Sequence, residues 1–281
     1  MKEFPSRTAQ PLKLTIITPS FNQAPYIGQT IRSVLAQDYH CVEHIVIDGG
    51  STDRTVDQLK KYPHLQWVSE KDRGQADALN KGLAKASGDI IGWINSDDYY
   101  EHQIFGSIVK CFEEPDVMWV IGNLTFVWDQ TGELIARKSP TINYERLINN
   151  PDIVRQPSTF FRKSFIEKVG GWNADYFRAM DFDLWVRLAK ISSPRMIDEN
   201  FAYFRIHAHQ KTSHSNTLRQ KREILTILNR EQVHWTITTR IGIRKSWATF
   251  KGRVKDLLLK LKVISPKGPT HQFRVDTGIK G

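Results

Sequence analysis

Residues 42–53 read Val-Glu-His-Ile-Val-Ile-Asp-Gly-Gly-Ser-Thr-Asp. A short β-branched run, Val42 to Ile47, stops at an acid and two glycines, which is the pattern of a strand ending in a polar turn. Thr52 to Lys61 then reads as a helix, with Ser51 or Thr52 placed to cap it. Toward the N-terminus, Leu14 to Thr18 (LTIIT) is a second such run, closed by Pro19-Ser20. Ala24 to Gln37 follows it with Ile27, Ile31, Val34 and Leu35 at helical spacing. Toward the C-terminus come a strand at Leu65 to Ser69 and a helix at Gln75 to Ala86, with Ala76, Leu79, Leu83 and Ala86 on one side and Gly88 ending it. Ile90 to Ile94 is the fourth strand, and it ends in Asn95-Ser96-Asp97-Asp98. The order βαβαβαβ predicts an α/β fold with a mostly parallel, Rossmann-like central sheet flanked by helices. Such sheets bind ligands outside the carboxyl ends of their strands, where the three polar clusters fall.

The second part of the chain has a different rhythm. Val117 to Val127 and Leu134 to Lys138 flank Asp129-Gln130-Thr131-Gly132, a hairpin turn. Gln156 to Arg162 and Arg195 to Ile206 have strand character. Phe165 to Val169 reads as a short helix closed by Gly170-Gly171, and Ala179 to Lys190 as a longer one through Phe182, Trp185, Val186 and Ala189. From about Asn216 the chain is helical and amphipathic. The expected organisation is a tail at 1–11, a first half at 12–100, a second half at 101–210 and a basic helical extension at 211–281.

With 281 residues and 40% hydrophobic residues the chain can bury a substantial core, and 25% charged residues excludes wholesale disorder. No apolar run approaches the roughly 18 residues a spanning helix needs. Met1 to Lys13 has no signal-peptide core, and Cys41 and Cys111 stand far apart, so a reducing cytoplasm is expected. Of the net charge of +10, residues 205–281 carry +13 and the preceding 204 residues −3. An anionic surface is the natural partner of that basic portion. Across 241–264, Trp247, Phe250, Val254, Leu257, Leu258 and Leu261 recur three or four apart between lysines and arginines. Two readings stay open: this helix rests on an anionic membrane, or it packs on the body with its lysines in solvent.

Several residues carry chemistry. Asp97 and Asp98 are adjacent carboxylates after a buried-looking strand, with Asn95 just upstream. Close carboxylates repel unless a cation compensates them, and a hard divalent ion with substrate phosphates does so. The same four residues also read as a turn capping the next helix. Asp48 can accept from a nucleobase N–H or a ribose hydroxyl, while Gly49 and Gly50 let a flat base approach the backbone. Asp53 reads as a first-turn acid on the helix dipole. Arg73, opening the third helix, suits a phosphate. Asp183 and Arg187 read as an i,i+4 pair, which leaves Asp181 free to project into a cleft or to act as an N-cap. His207 and His209 form the one His-rich patch.

Together, Thr18-Pro19-Ser20-Phe21-Asn22, Asp48-Gly49-Gly50-Ser51-Thr52-Asp53, Asn95-Ser96-Asp97-Asp98 and Met180-Asp181 resemble, in order and spacing, the family 2 glycosyltransferases of GT-A fold. The resemblance runs from about Leu12 to His209. It implies an enzyme that transfers a sugar, with inversion, from a nucleotide-sugar donor, most often a UDP-sugar, to an acceptor hydroxyl. It implies that Pro19, Ser20, Phe21, Asn22, Asp48 and Gly50 cradle the nucleoside, joined at the donor by Arg73, Asp77, Asn95, Ser96 and Asp97. It implies that Asp181 is the base and that a divalent metal (Mg2+ or Mn2+) is held by Asp97, Asp98 and His207. Two positions depart from the family pattern: Asn95 replaces the first acid of the metal-binding motif, and Met180 the acid usually found before the base. The acceptor implied is a saccharide or lipid-linked saccharide of bacterial surface polysaccharide or glycolipid assembly, met in the cytoplasm or at the inner face of the plasma membrane. A nucleotidylyltransferase would show a Gly-rich basic loop after the first strand, and Thr18 to Asn22 has none. A nucleic-acid binder would draw on the basic tail, but acidic strand ends repel phosphate, so no nucleic-acid partner is expected.

Overall fold

In the computed structural model, which describes residues 10–208, 210–211 and 217–233, the run LTIITPS forms β1 (Leu14–Ser20), buried at all seven positions. A strand covered on both faces is what a near-continuous apolar run predicts for the centre of a parallel sheet. It pairs in parallel with β2 (Val42–Asp48) on one side and β4 (Ile90–Trp93) on the other, and β2 pairs with β3 (Gln66–Ser69). The register sets Ser20 opposite Asp48 and Ile17 opposite Trp93, so the expected polar strand ends lie along one edge.

The remaining strands are β5 (Tyr99–Tyr100), β6 (Trp119–Trp128), β7 (Leu134–Arg137), β8 (Thr159–Arg162) and β9 (Arg195–Ile206). The nine-stranded sheet has the order β3-β2-β1-β4-β8-β6-β9-β5, with β7 added beside β6. β4–β8 and β8–β6 are antiparallel, whereas β6 and β9 run parallel. One sheet therefore passes through both expected halves, and the first strand sits at the point where the order reverses, with β2 to one side and β4 to the other.

Helices α1 (Ile27–Leu35), α2 (Thr55–Leu59) and α3 (Gln75–Lys85) cross between the parallel strands. α3 packs so closely on β1 that a Cβ at Gly82 would lie 2.4 Å from Ile17. α4 (Phe105–Phe112), α5 (Tyr144–Asn149), α6 (Lys163–Lys168), α7 (Met180–Ala189) and α8 (Thr217–Arg230) complete the described helices. α7 is docked by an aromatic stack beneath the strand ends. Trp185 lies 5.5 Å from Phe161 and 6.1 Å from Trp119, and Trp93 meets Trp172 edge-on at 5.5 Å. Each such pair adds about 1 kcal/mol to the burial of its rings, and the Trp185 pairs anchor α7 to the sheet.

Two local expectations are corrected. The second helix is shorter than Thr52 to Lys61, and neither Ser51 nor Thr52 caps it: Ser51 donates to Asp48, and Asp53 accepts from Thr55 N at 2.9 Å. Gln156–Ser158 is a 3-10 turn rather than strand, since Pro157 has no N–H to give a ladder. Beyond residue 210 the expected helical extension is present in α8, where Arg230 pairs with Asp183 of α7 and Glu231, just after α8, pairs with Lys190. Among the described residues no helix is long and apolar enough to cross a membrane. His209 and the amphipathic stretch 241–264 lie outside the described residues.

Candidate active site

A cavity of about 750 Å3 opens at the carboxyl ends of β1, β2 and β4. Pro19, Ser20 and Phe21 enter it from the first strand end, Gly49 from the second, and Asn95, Ser96 and Asp97 from the fourth. Arg73 and Gln75 line it at the start of α3, and Asp181 at the start of α7. The parallel register aligns the ends of β1, β2 and β4, and the packing of α7 and α8 brings Asp181 and Gln220 to the same cleft.

The fourth strand end is a polar hub. Asn95 Oδ1 accepts from Trp93 Nε1 (3.0 Å) and Gln75 Nε2 (2.6 Å), and its Nδ2 donates to Gln156 Oε1 (2.9 Å) and Asp98 Oδ2 (3.3 Å). An amide both accepts and donates, which a carboxylate at this position would not do. Asp97 reaches the cleft, and its Oδ2 lies 3.0 Å from His207 Nε2. Asp98 does not join it. Its carboxyl is 1% exposed, accepts from Arg205 N at 3.0 Å, and is absent from the cleft wall. Burial, and then the Asp97 charge, push the Asp98 carboxyl well above the usual carboxylate range.

No group of three or more acidic, His or Cys side chains among the described residues is arranged to hold a metal ion. Asp97 lines the cleft, while His207, buried and outside the cleft wall, backs it with Nε2 on Asp97 Oδ2. The Asp97 carboxylate with His207 behind it fits a divalent ion that takes its other ligands from a diphosphate and water. Asn95 has its side-chain oxygen committed and Asp98 is turned inward, so neither adds to the pair.

On the side of β2, Asp48 is fully buried and accepts from Ser51 N (2.9 Å), Ser51 Oγ (2.5 Å) and Ser69 Oγ (2.6 Å). It organises the loop that carries Gly49 and Gly50 (φ +82°) rather than facing the cleft. Asn22 ties the two loops: its N–H donates to Ser51 Oγ (2.7 Å) and its Oδ1 accepts from Thr52 N (2.9 Å). Phe21, 58% exposed, is the one aromatic ring that the first loop offers to a ligand. Arg73 is exposed and pairs with Asp77 at 3.1 Å, while Asp77 also accepts Arg73 N. Gly74 between them holds φ +116°, which favours glycine, with the Phe177 ring over it.

Asp181 lies half-buried at the foot of the cleft, and Phe182 N donates to its Oδ1 at 2.8 Å. Burial raises its carboxyl from the ordinary 3.8 to about 6, against the backbone hydrogen bond that opposes the shift. Lys211 lies in the same cleft, donates to Gln75 Oε1 at 3.0 Å, and is lowered to about 8 by burial against the opposing pull of Asp181. A buried carboxylate poised near neutrality beside a cationic amine is an arrangement that can take and hold a proton. Asp183, the other acid of this helix, is fully buried and bonded to Arg187 at 2.7 Å, as its spacing predicts.

Gln75, Trp93, Gln156, Phe177, Arg205 and Lys211 escaped the sequence reading. Arg205 holds the Asp97 carbonyl (2.9 Å) and Asp129 (3.0 Å), contacts that no local pattern announces.

The family model described as Glycosyl transferase family 2 matches residues 15–170. An uncharacterized glycosyltransferase of Mycobacterium tuberculosis is 30% identical over 190 residues, covering 64% of this chain and 70% of that protein. One from Rickettsia typhi is 26% identical over 287 aligned positions, covering 97% and 80%. Among solved structures, the 1–349 fragment of S. aureus TarS in complex with UDP matches with a TM-score of 0.61 at 18% identity, covering 77% of this chain and 65% of that one. The mannosyltransferase PcManGT from Pyrobaculum calidifontis, in complex with GDP-Man and Mn2+, matches with a TM-score of 0.58 at 20% identity, covering 80% and 66%. At such identities the likeness bears on the fold alone, and the chain spans about two thirds of the length of either solved chain.

Proposed function

Because the chain belongs to glycosyl transferase family 2 and moves a sugar from a nucleotide-sugar donor, we propose that it does so by direct displacement with inversion, with Asp181 as the base. The observation that carries this reading is the half-buried Asp181 carboxylate, raised to about 6, in the cleft that the three strand-end loops line. An acceptor hydroxyl oxygen attacks the anomeric carbon and its proton passes to Asp181. The bond from that carbon to the phosphate oxygen breaks, and the electron pair leaves with the nucleoside diphosphate. One base and no covalent intermediate account for inversion.

The chain's own groups divide the remaining work. Phe21 stacks on the base, and the Gly49–Gly50 loop, held by Asp48 and Asn22, lies against the nucleoside. Arg73, at the start of α3, and Lys211 face the phosphates. Asn95 and Ser96 close the sugar side, with the Asn95 amide held by Gln75 and Gln156. A divalent ion held by Asp97, with His207 behind it, and by the diphosphate would neutralise the charge that develops on the leaving group. Asp98 supports this end from below, through Arg205 and Asn95. The acceptor is a saccharide or lipid-linked saccharide of surface polysaccharide or glycolipid assembly, reached at an anionic membrane through the basic stretch 241–264.

The test is nucleotide release from UDP-, GDP- and dTDP-sugars with Mn2+, with and without saccharide acceptors. Asp181→Asn should abolish release at every acceptor concentration while keeping donor affinity within about threefold, since the group acts in the transition state. Turnover equal to that of the unsubstituted protein would remove Asp181 from the base role.

A further inference from the structure

Helix α7, which carries Asp181, begins without a cap of its own: Ala179 occupies its N-cap position and no side chain there accepts a hydrogen bond. The segment just before the helix is held from another helix, at amides that precede the first turn. Glu223 of α8 is 9% exposed, and its carboxylate accepts from three consecutive backbone N–H groups, Phe177 (3.1 Å), Arg178 (2.7 Å) and Ala179 (2.9 Å). Arg219, one turn earlier on α8, donates to the same carboxylate at 2.9 Å. Burial would push the Glu223 carboxyl up, but these charge-assisted bonds outweigh it and hold it below the usual range.

The three amides end one residue before Met180-Asp181. The first of them belongs to Phe177, whose ring forms part of the cleft wall with Lys211 and Arg219 over it at 4.2 and 4.5 Å. The Arg178 guanidinium donates to the Lys211 carbonyl, so the clamped segment also touches the residue that carries the cleft's amine. Docking of α8 does not rest on Glu223. Arg230–Asp183, Glu231–Lys190 and Tyr144 Oη donating to Glu231 (3.1 Å) bind the far end of the helix independently.

We infer that Glu223 is a positioning residue for transfer: it clamps the 177–179 segment so that Asp181 and Phe177 face the cleft in one orientation. This rests on the reading of Asp181 as the base. It makes α8, which lies outside the stretch matched by the family model, part of the apparatus of the active site although Glu223 itself does not reach the cleft. Displacing a reacting group by about 1 Å lowers a rate by as much as ~100-fold without weakening ground-state binding, and that is the signature expected here.

The experiment compares Glu223→Gln with Glu231→Gln in the full chain. The first puts an amide N–H2 among the three backbone donors, and the second loosens only the far end of α8. Amide hydrogen exchange reads the clamp, nucleotide release from UDP-GlcNAc and GDP-mannose with Mn2+ reads turnover, and calorimetry reads donor affinity. Glu223→Gln should speed exchange at 177–179 by at least ~10-fold, lower kcat by ~10–100-fold and leave donor Kd within about twofold. Glu231→Gln should lower Tm while leaving exchange at 177–179 and kcat unchanged. Unchanged exchange in Glu223→Gln would show that there is no clamp, and faster exchange with unchanged kcat would make Glu223 structural only. Either result overturns this inference while Asp181→Asn, still inactive, leaves the base assignment standing. An active Asp181→Asn would instead remove the base assignment, and the positioning claim with it.

Discussion

The ionised Asp181 carboxylate is a stability cost that the fold carries, and its size can be worked out. The carboxyl titrates at about 6 in the folded chain against 3.8 for an ordinary aspartate, a rise of about two pH units. Between those values the folded chain binds a proton that the unfolded chain has released, so stability falls as pH rises through about 4 to 6 and stays flat above. At 1.36 kcal/mol per unit the penalty reaches up to about 3 kcal/mol at pH 8. Asparagine keeps the shape without the charge. Asp181→Asn should therefore match the unsubstituted protein below about pH 4 and exceed it by up to about 3 kcal/mol at pH 8, or roughly 5–10 °C in Tm for a body of this size. Urea unfolding at pH 4 and pH 8 measures both. Equal stability at pH 8, or a loss at both pH values, would refute the claim that this carboxylate is held ionised against its surroundings. The same ionisation predicts that kcat/KM falls below about pH 6, where the base takes up its proton.

Glu43 makes the opposite case. Burial would raise its carboxyl, but Ser87 N and the hydroxyls of Thr15 and Ser87 outweigh it and hold it at about 2. Its contribution is complete above about pH 4.5 and is lost as pH falls toward 2, so Glu43→Gln should cost up to about 3 kcal/mol at pH 7 and almost nothing near pH 2 in urea titrations. Asp97→Ala should weaken Mn2+-dependent donor binding by roughly 10–100-fold in calorimetry, and unaltered affinity would make this strand end a structural turn. Deleting residues 241–281 should release the chain from sedimenting anionic vesicles at low salt, and undiminished sedimentation would remove the membrane from the proposal.

The parallel half of the fold was legible because β1, β2 and β4 are buried on both faces and its helices on one, so burial writes the two periods directly into the sequence. Arg195–Ile206 was also read to its ends, although only Phe201, Ala202 and Arg205 of it are buried. The site was legible at the strand ends Pro19 to Phe21 and Asn95 to Asp97 and at the start of α7, where Asp181 reaches the cleft. What local pattern could not decide was direction. Asp97 and Asp98 look equivalent in sequence, yet one faces the cleft and the other takes the Arg205 amide beneath it. Asp48 looked free to meet a ligand, but three donors from Ser51 and Ser69 fill its oxygens. The contacts that were missed span long intervals, such as Arg205 to Asp97, 108 residues apart, and Glu223 to Ala179, 44 apart. Such pairs are set by how the sheet and α8 pack, and no spacing within one segment encodes them.

The central claim is that the cleft at the ends of β1, β2 and β4 holds a nucleotide-sugar. Isothermal calorimetry of the full chain with UDP-, GDP- and dTDP-sugars, each with and without Mn2+, tests it most directly. The account predicts saturable one-to-one binding of one nucleotide class, strengthened by Mn2+ and weakened when Phe21 is replaced by alanine. No binding by any of the donors, or binding indifferent to both Mn2+ and Phe21→Ala, would contradict it.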